Sequence, residues 1–139
     1  MEASQLFSNQ RGRLPKQDAI GLADFILSRE RQRFPVNIIF SGDAYLETLN
    51  SRFSGHSQST DVLSFPGDAD MGILGEVYIS VETARRQAAE YGVTLRNEIL
   101  RLVCHGVLHL CGYDHHAQAD AVVMRRKEKR YLNGMLSRG

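Results

Sequence analysis

Two histidines one helical turn apart, His105 and His109, are the residues of this sequence best suited to metal chemistry. Residues four apart on a helix lie about 5–6 Å from each other at Cβ, so their two imidazoles can converge on one ion. Gly112 permits a left-handed turn after the helix, from which His115 can fold back as a third nitrogen ligand. The spacing therefore predicts a metal site held by three imidazoles.

Three neutral imidazoles suit zinc, and the lack of a fourth ligand nearby leaves one position for water, as in catalytic sites. Such a zinc lowers the pKa of its bound water to about 7 and polarises phosphoryl oxygens, which favours phosphodiester hydrolysis. Gly106 follows His105, so the glutamate base of HExxH proteases is missing. Glu76 and Asp114 are the candidate proton acceptors, although Asp114 can instead orient an imidazole.

The remaining histidines and both cysteines are weaker candidates for ligands. His116 is an alternative to His115, but an adjacent side chain points elsewhere, and His56 lies in a polar loop. Cys104 and Cys111 are placed on one helix, which separates their Cα atoms by roughly 10 Å and forbids a mutual disulfide. Both fall on the side of the helix opposite the histidines, so they are predicted to be free, buried thiols.

The helix that carries the histidines is predicted to begin after Thr94, a good N-cap residue, and to end at Gly112. Apolar residues cover most of its circumference, which predicts a central and buried helix. One narrow polar stripe remains, formed by Glu98, Arg101, His105 and His109. This stripe is expected to line a cleft.

Other predicted helices and strands surround this helix. Pro15 begins a first helix that runs to about Arg33, Asp43 is placed to cap a second, and Ser80 caps a third that stops at Gly92. Strands are predicted at 36–40, 61–65 and 74–79, and a basic fifth helix at 117–136. Because strands and helices do not alternate regularly, we expect an α+β fold with a small mixed β-sheet and about five helices, forming a single domain over residues 1–139.

The composition of the 139-residue chain is that of a globular protein, with 42% hydrophobic and 24% charged residues. No basic start followed by an apolar run is present, so neither a secretory signal nor a membrane span is predicted and the cytoplasm is expected. The formal net charge of +1 conceals basic clusters at 29–33, 85–86 and 125–130. Such local patches would have to attract an acidic partner, with a merely solvated face as the alternative for the last cluster.

Residues 105–115 read HGVLHLCGYDH, which resembles the HGxLHLxGYDH signature of the YbeY family of bacterial metal-dependent, single-strand-specific endoribonucleases. Two further stretches agree in order. TDVLSFP at 60–66 follows Leu49 and Asn50, and GEVYIS at 75–80 is similar to the family's GDIxIS strand. The resemblance extends from about Asn37 to the C-terminus.

This resemblance implies one zinc ion bound by His105, His109 and His115. It also implies maturation of the 3′ end of small-subunit (16S) ribosomal RNA and a part in ribosome quality control. The expected partners are single-stranded RNA and the small ribosomal subunit, with neither DNA nor a membrane among them.

One departure from the family pattern concerns an arginine. The family has arginine directly after the aromatic residue of its LNxx[YF]R segment, where this chain has Ser54. Either Arg52, two residues earlier, supplies the same guanidinium from a shifted backbone, or another residue contacts the phosphate. Arginine presents a planar fork to phosphate oxygens, and the other candidates are Arg85, Arg86 and Arg101.

Two other classes of protein compete with a nuclease. In a ribosome assembly factor without turnover, zinc would only hold the turn at Gly112 in place. A metallopeptidase or amidase would use the same zinc with a base from elsewhere. Nuclease assays on metal-replete and metal-stripped protein separate the three.

Overall fold

The structure, a computed structural model, describes residues 2–54, 60–113 and 117–136. Its strands are β1 (Gln5–Ser8), β2 (Val36–Ser41), β3 (Val62–Pro66) and β4 (Gly75–Ser80). Its α-helices are α1 (Lys16–Arg29), α2 (Asp43–Ser54), α3 (Val81–Tyr91), α4 (Leu95–Leu110) and α5 (Gln118–Leu136), and a 3₁₀ turn at Ala69–Met71 precedes β4. These elements confirm the α+β prediction.

The strands form a mixed four-stranded sheet in the order β1-β2-β4-β3. The pairs β1–β2 and β2–β4 are parallel, whereas β3 runs antiparallel to β4 at an edge of the sheet. Parallel neighbours cannot be joined by a tight turn, so the chain crosses over through helices between them. The helices are thereby brought onto the sheet.

The two faces of the sheet differ in burial. Alternate side chains of β2 and β4 are fully buried, and these are Val36, Ile38, Phe40, Val77 and Ile79. This face packs against α4, which also contacts α1, α3 and α5. The residues between them point the other way and are half-buried, for example Ile39 and Tyr78. The helix with the histidines is therefore central, as predicted.

Helices α3 and α4 begin after the predicted N-cap residues and end within two residues of the predicted glycines. The Ser80 hydroxyl accepts a hydrogen bond from the Thr83 amide at 3.2 Å, and the Thr94 hydroxyl accepts one from the Asn97 amide at 3.0 Å. Gly92 follows α3 in a left-handed conformation with φ of 69°, and Gly112 follows α4 with φ of 102°. Local capping chemistry thus sets the bounds of α3 and α4.

One strand was missed and two local predictions were wrong. Strand β1 was not predicted, because its four residues form a strand only through parallel pairing with β2. Helix α1 ends at Arg29 rather than Arg33, since Arg31 takes a left-handed φ of 58°. Asp43 is the first residue of α2, and its carboxylate accepts hydrogen bonds from side chains of α3 and its N-cap.

Among the described residues, no helix is long and apolar enough to cross a membrane.

Candidate metal centre

The polar stripe of α4 becomes progressively more exposed toward the C-terminal end of the helix. Glu98 is buried, Arg101 and His105 are half-buried, and His109 is exposed. The remaining sides of α4 pack against β3 and β4 of the sheet and against α1, α3 and α5. The predicted stripe therefore reaches solvent where the two histidines lie.

His105 lies beside a carboxylate of α5 that no sequence motif marks. Its Nδ1 atom is 3.5 Å from Oε1 of Glu128, whose side chain is 17% exposed. A carboxylate at one ring nitrogen orients the imidazole and leaves the metal-binding role to the other nitrogen. The only signal in the sequence was that Glu128 shares a helical face with the apolar residues Met124 and Leu132.

The turn that leads from α4 toward His115 is held by another half-buried carboxylate, that of Glu30. Tyr113 donates a hydrogen bond from its hydroxyl to Oε1 of Glu30 at 2.6 Å, and its amide donates to the Leu108 carbonyl at 3.1 Å. Glu30 also accepts hydrogen bonds from Lys127 and Tyr131 of α5. The turn is thereby tied to the end of α1 and the middle of α5.

The pKa of Glu30 reflects these contacts. Burial alone would raise it, but the hydrogen bonds from Tyr113, Tyr131 and Lys127, together with the positive charge of Lys127, lower the pKa below its ordinary value. Glu30 is therefore ionised at neutral pH and acts as a fixed acceptor for the three side chains.

Arg101 is the arginine that the structure places on the same stripe as the histidines. Its guanidinium donates two hydrogen bonds to the buried Glu98, from Nε at 3.0 Å and from Nη2 at 2.6 Å. The hydrogen bonds that the guanidinium donates to Glu98 outweigh the effect of burial and raise the pKa of Arg101. A charged guanidinium is thus fixed one helical turn before His105.

Two other predicted site residues lie on elements other than α4. Arg52 is exposed in the last turn of α2, an element that packs against α3, β3 and β4. Glu76 is on β4 and accepts a hydrogen bond from Tyr78 at 3.2 Å, on the face of the sheet opposite Val77 and α4. The sheet therefore separates Glu76 from His105 and His109. Asp114 and His115 lie outside the described residues.

Two of the three predicted metal ligands, His105 and His109, lie within the described residues. Within 2–54, 60–113 and 117–136 there is no group of three His, Cys, Asp or Glu residues that could hold a metal ion. The described part contributes two imidazoles at i and i+4, one of them beside a carboxylate partner, and the predicted third ligand follows the anchored turn. Burial raises the pKa of Cys111 to about 12 and also raises that of Cys104, which disfavours thiolate ligands.

The sequence of this chain was compared with models of known protein families and with related proteins. A model of the family described as Endoribonuclease YbeY matches residues 8–136. The chain belongs to the YbeY endoribonuclease family. The Endoribonuclease YbeY of Pelotomaculum thermopropionicum is 40% identical over 142 residues, which cover 91% of this chain and 93% of the relative. That of Desulfitobacterium hafniense is 37% identical over 144 residues, covering 95% and 92%.

A solved structure agrees with this membership. The solution structure of TM1509 from Thermotoga maritima superposes with a TM-score of 0.67 at 26% identity, covering 97% of this chain and 93% of the other. The YbeY resemblance of residues 105–115 is thus matched over nearly the whole chain. The protein is an endoribonuclease, a hydrolase that acts on RNA.

Proposed function

We propose that this YbeY endoribonuclease uses one zinc ion to cleave single-stranded RNA, and that it acts in the cytoplasm. The proposed task is maturation of the 3′ end of 16S ribosomal RNA and quality control of the small ribosomal subunit. The observation that supports zinc is the pair His105 and His109 at the open end of α4, with Glu128 at 3.5 Å from His105. The assignment to ribosomal RNA rests on family membership.

The ligands we propose are His105, His109 and His115. Zinc held there supplies Lewis acidity and activates water at neutral pH. Glu128 keeps the His105 ring in one orientation, so that a single nitrogen faces the ion. Glu30 acts at a distance, because it holds Tyr113 two residues before the third proposed ligand.

Arg101 is suited to hold the scissile phosphate. Its guanidinium is fixed on the histidine stripe by Glu98 and is 38% exposed, so part of its fork faces solvent. Arginine binds phosphate oxygens bidentately, and a preorganised donor loses little freedom on binding. Arg52, which is exposed in the last turn of α2, remains a proposed contact to the RNA backbone.

Asp114 is our proposal for the proton acceptor. It stands next to His115 in the sequence, whereas Glu76 points away from α4 on the other face of the sheet. The alternative role for Asp114 is to orient an imidazole. A pH profile of the Asp114→Asn variant separates the roles, because loss of a base removes the acidic limb whereas misorientation lowers zinc affinity.

The experiment that tests the proposal compares replete, chelated and zinc-restored protein on single-stranded and duplex RNA. We expect cutting of single-stranded RNA by the replete protein, loss of cutting after chelation, and recovery with zinc. His109→Ala should remove most of the bound zinc and the activity, whereas His116→Ala is the matched control and should keep both. Elemental analysis should find about one zinc per chain in untagged protein.

The outcomes distinguish the alternatives. If zinc restores the melting temperature but no single-stranded RNA is cut, the protein is an assembly factor whose zinc is structural. If stoichiometric zinc is absent, or unchanged in His109→Ala, the proposed site is wrong. Cleavage of peptides or amides instead of RNA would indicate the metallopeptidase class.

A further inference from the structure

The outward face of α5 carries a stripe of cations that the metal centre does not use. We call Arg125, Arg126, Lys129 and Arg130 the α5 basic face, and each of them is exposed. At 100° per residue they occupy one continuous side of the helix, in two pairs of spacing i and i+4. The buried side of the same helix carries Met124, Tyr131 and Leu132.

The positive charge of the α5 basic face is not neutralised by the described part of the protein. Across residues 2–54, 60–113 and 117–136, none of its cations forms an ion pair. The acidic residues of α5 are Asp120, near its start, and Glu128, which faces His105 on the other side of the helix. A surface of this kind attracts anions at the moderate ionic strength of a cell.

The end of α1 extends this surface. Arg29 lies over the ring of Phe25 at 5.2 Å, and that ring meets Tyr131 of α5 edge to face at 6.0 Å. Phe25 and Arg130 also line one groove between the two helices. The basic clusters at 29–33 and 125–130, about a hundred residues apart in the sequence, therefore adjoin in the fold.

An aromatic ring is exposed within this basic surface. The Phe25 side chain is 49% exposed, although large apolar side chains are usually buried. Cationic grooves with exposed aromatic rings are the arrangement that proteins use to bind single-stranded nucleic acid, with cations on phosphates and rings on bases. The combination distinguishes this surface from an ordinary solvated helix face.

We propose that the α5 basic face, together with Arg29 and Phe25, is an RNA-docking surface separate from the catalytic centre. It binds the sugar-phosphate backbone of single-stranded RNA that extends beyond the cleaved bond. Its position supports this, because Glu128 faces His105 from the inner side of α5 while the cations occupy the outer side. A strand leaving the histidines can therefore continue over the helix, and long RNA gains contacts that short RNA cannot reach.

The proposal rests on RNA as the substrate and is tested with a charge-reversal pair and a matched control. The test variant is Arg126→Glu/Arg130→Glu. The control is Arg11→Glu/Arg13→Glu, which changes the net charge equally at exposed arginines of the segment between β1 and α1. Because Arg126 and Arg130 form no ion pair with any residue that the structure describes, the melting temperature of the test variant should stay near that of the parent.

Binding is measured first, on the full chain with metal chelated so that RNA stays intact. Fluorescence anisotropy with a labelled single strand of about 20 nucleotides should show at least about tenfold weaker binding for the test variant, and little change for the control. The logarithm of the binding constant falls linearly with the logarithm of the salt concentration, and each phosphate contact to a single strand contributes about 0.7 to that slope. The loss of two contacts should therefore lower the magnitude of the salt slope by about 1.4.

Cleavage by zinc-loaded protein gives the second measurement. On long RNA, kcat/KM of the test variant should fall about tenfold, mainly through KM. On an oligonucleotide of about four nucleotides it should stay unchanged, because such a substrate fills only one short site. If neither the parent nor the test variant cuts RNA, the proposed catalytic function is wrong. The binding measurement still shows whether the α5 basic face binds RNA.

Several results would overturn the proposal. If the control variant bound RNA as weakly as the test variant, net charge alone would explain the loss of binding. Equal loss on short and long substrates would place Arg126 and Arg130 in the catalytic cleft. Competition by polyglutamate as effective as that by RNA would indicate an acidic protein partner instead. Unchanged binding and an unchanged salt slope would show that the α5 basic face is simply solvated.

Discussion

Helix α4 packs closely against the sheet at Gly106, the residue after the first histidine. A Cβ atom there would lie 2.5 Å from Cγ1 of Val77, 3.0 Å from Oγ of Ser64 and 3.3 Å from Cγ2 of Val62. Val77 is fully buried in β4, and the Ser64 hydroxyl already donates a hydrogen bond to the Gly106 carbonyl at 3.0 Å. We therefore predict that Gly106→Ala pushes α4 away from the sheet.

The expected magnitude follows from these distances. Carbon atoms in favourable contact are about 3.5–4.0 Å apart, so the new methyl group overlaps Val77 by at least about 1 Å. Overpacking of this kind costs about 1–3 kcal/mol, and the better helix propensity of alanine offsets up to about 1 kcal/mol. We expect a net loss of about 1–2 kcal/mol in the free energy of unfolding, or roughly 3–6 °C in melting temperature.

The substitution should also act on the metal site, because His105 is the preceding residue. A shift of the helix moves His105 relative to Glu128 on α5, and misplaced outer partners typically cost about 10–100-fold in metal affinity. Urea unfolding of the chelated protein gives the stability change. Competition with a chromogenic chelator gives the zinc affinity.

Two further variants serve as controls. Gly21→Ala in α1 introduces the same methyl group where no atom lies within 4 Å, so it should stabilise the fold by up to about 1 kcal/mol. Gly106→Ala/Val77→Ala removes the obstructing methyl groups and should cost less than the sum of the single changes. If Gly106→Ala were as stable as the parent and bound zinc equally well, the close approach of α4 would not constrain the site.

Three other predictions concern single side chains. Glu128→Gln should weaken zinc binding by about 10–100-fold while the metal-free melting temperature stays nearly constant, and unchanged affinity in a chelator competition would remove Glu128 from the site. Because the pKa of Glu30 is lowered, its contribution to stability is complete above about pH 4.3 and is lost as the pH falls through the lower, folded-state value. Glu30→Gln should therefore be less stable than the parent at pH 7, with the difference shrinking below about pH 4; a difference that stays constant down to pH 3 in urea titrations contradicts this. Neither Cys104 nor Cys111 should react with iodoacetamide at pH 8 in the native protein, although both should in denaturant, because burial raises both thiol pKa values. Rapid labelling of either cysteine in the native protein, measured by mass spectrometry, would contradict this prediction.

Much of the local structure could be predicted because it depends on neighbours in the sequence. Ser80 and Thr94 cap helices through amides three residues away, and Gly92 and Gly112 end them through their left-handed conformations. The 3.6-residue period was enough to place the polar stripe on an otherwise apolar α4. These are interactions within a few residues, which leave a readable pattern.

The contacts that complete the candidate site leave no such pattern. Glu30 meets Tyr131 across 101 positions of the sequence, and Glu128 meets His105 across two different helices. A carboxylate on a charged helix or at a helix end looks like a solvated residue until its partner is known. Only the packing of α1 and α5 against α4 gave these two carboxylates their roles.

Strand β4 shows which features the sequence determines and which depend on the tertiary structure. Alternation in the sequence by itself determined that Glu76 and Val77 point to opposite faces of a strand. It could not determine which face α4 would cover, so Glu76 and Asp114 both stayed open as candidate proton acceptors. The tertiary structure decided which face α4 covers, because the parallel pairing of β2 with β4 and the closely packed Gly106 bring α4 onto the face of Val77. Faces and partners are set by contacts between distant segments, whereas caps, turns and periodicity are set by nearby ones.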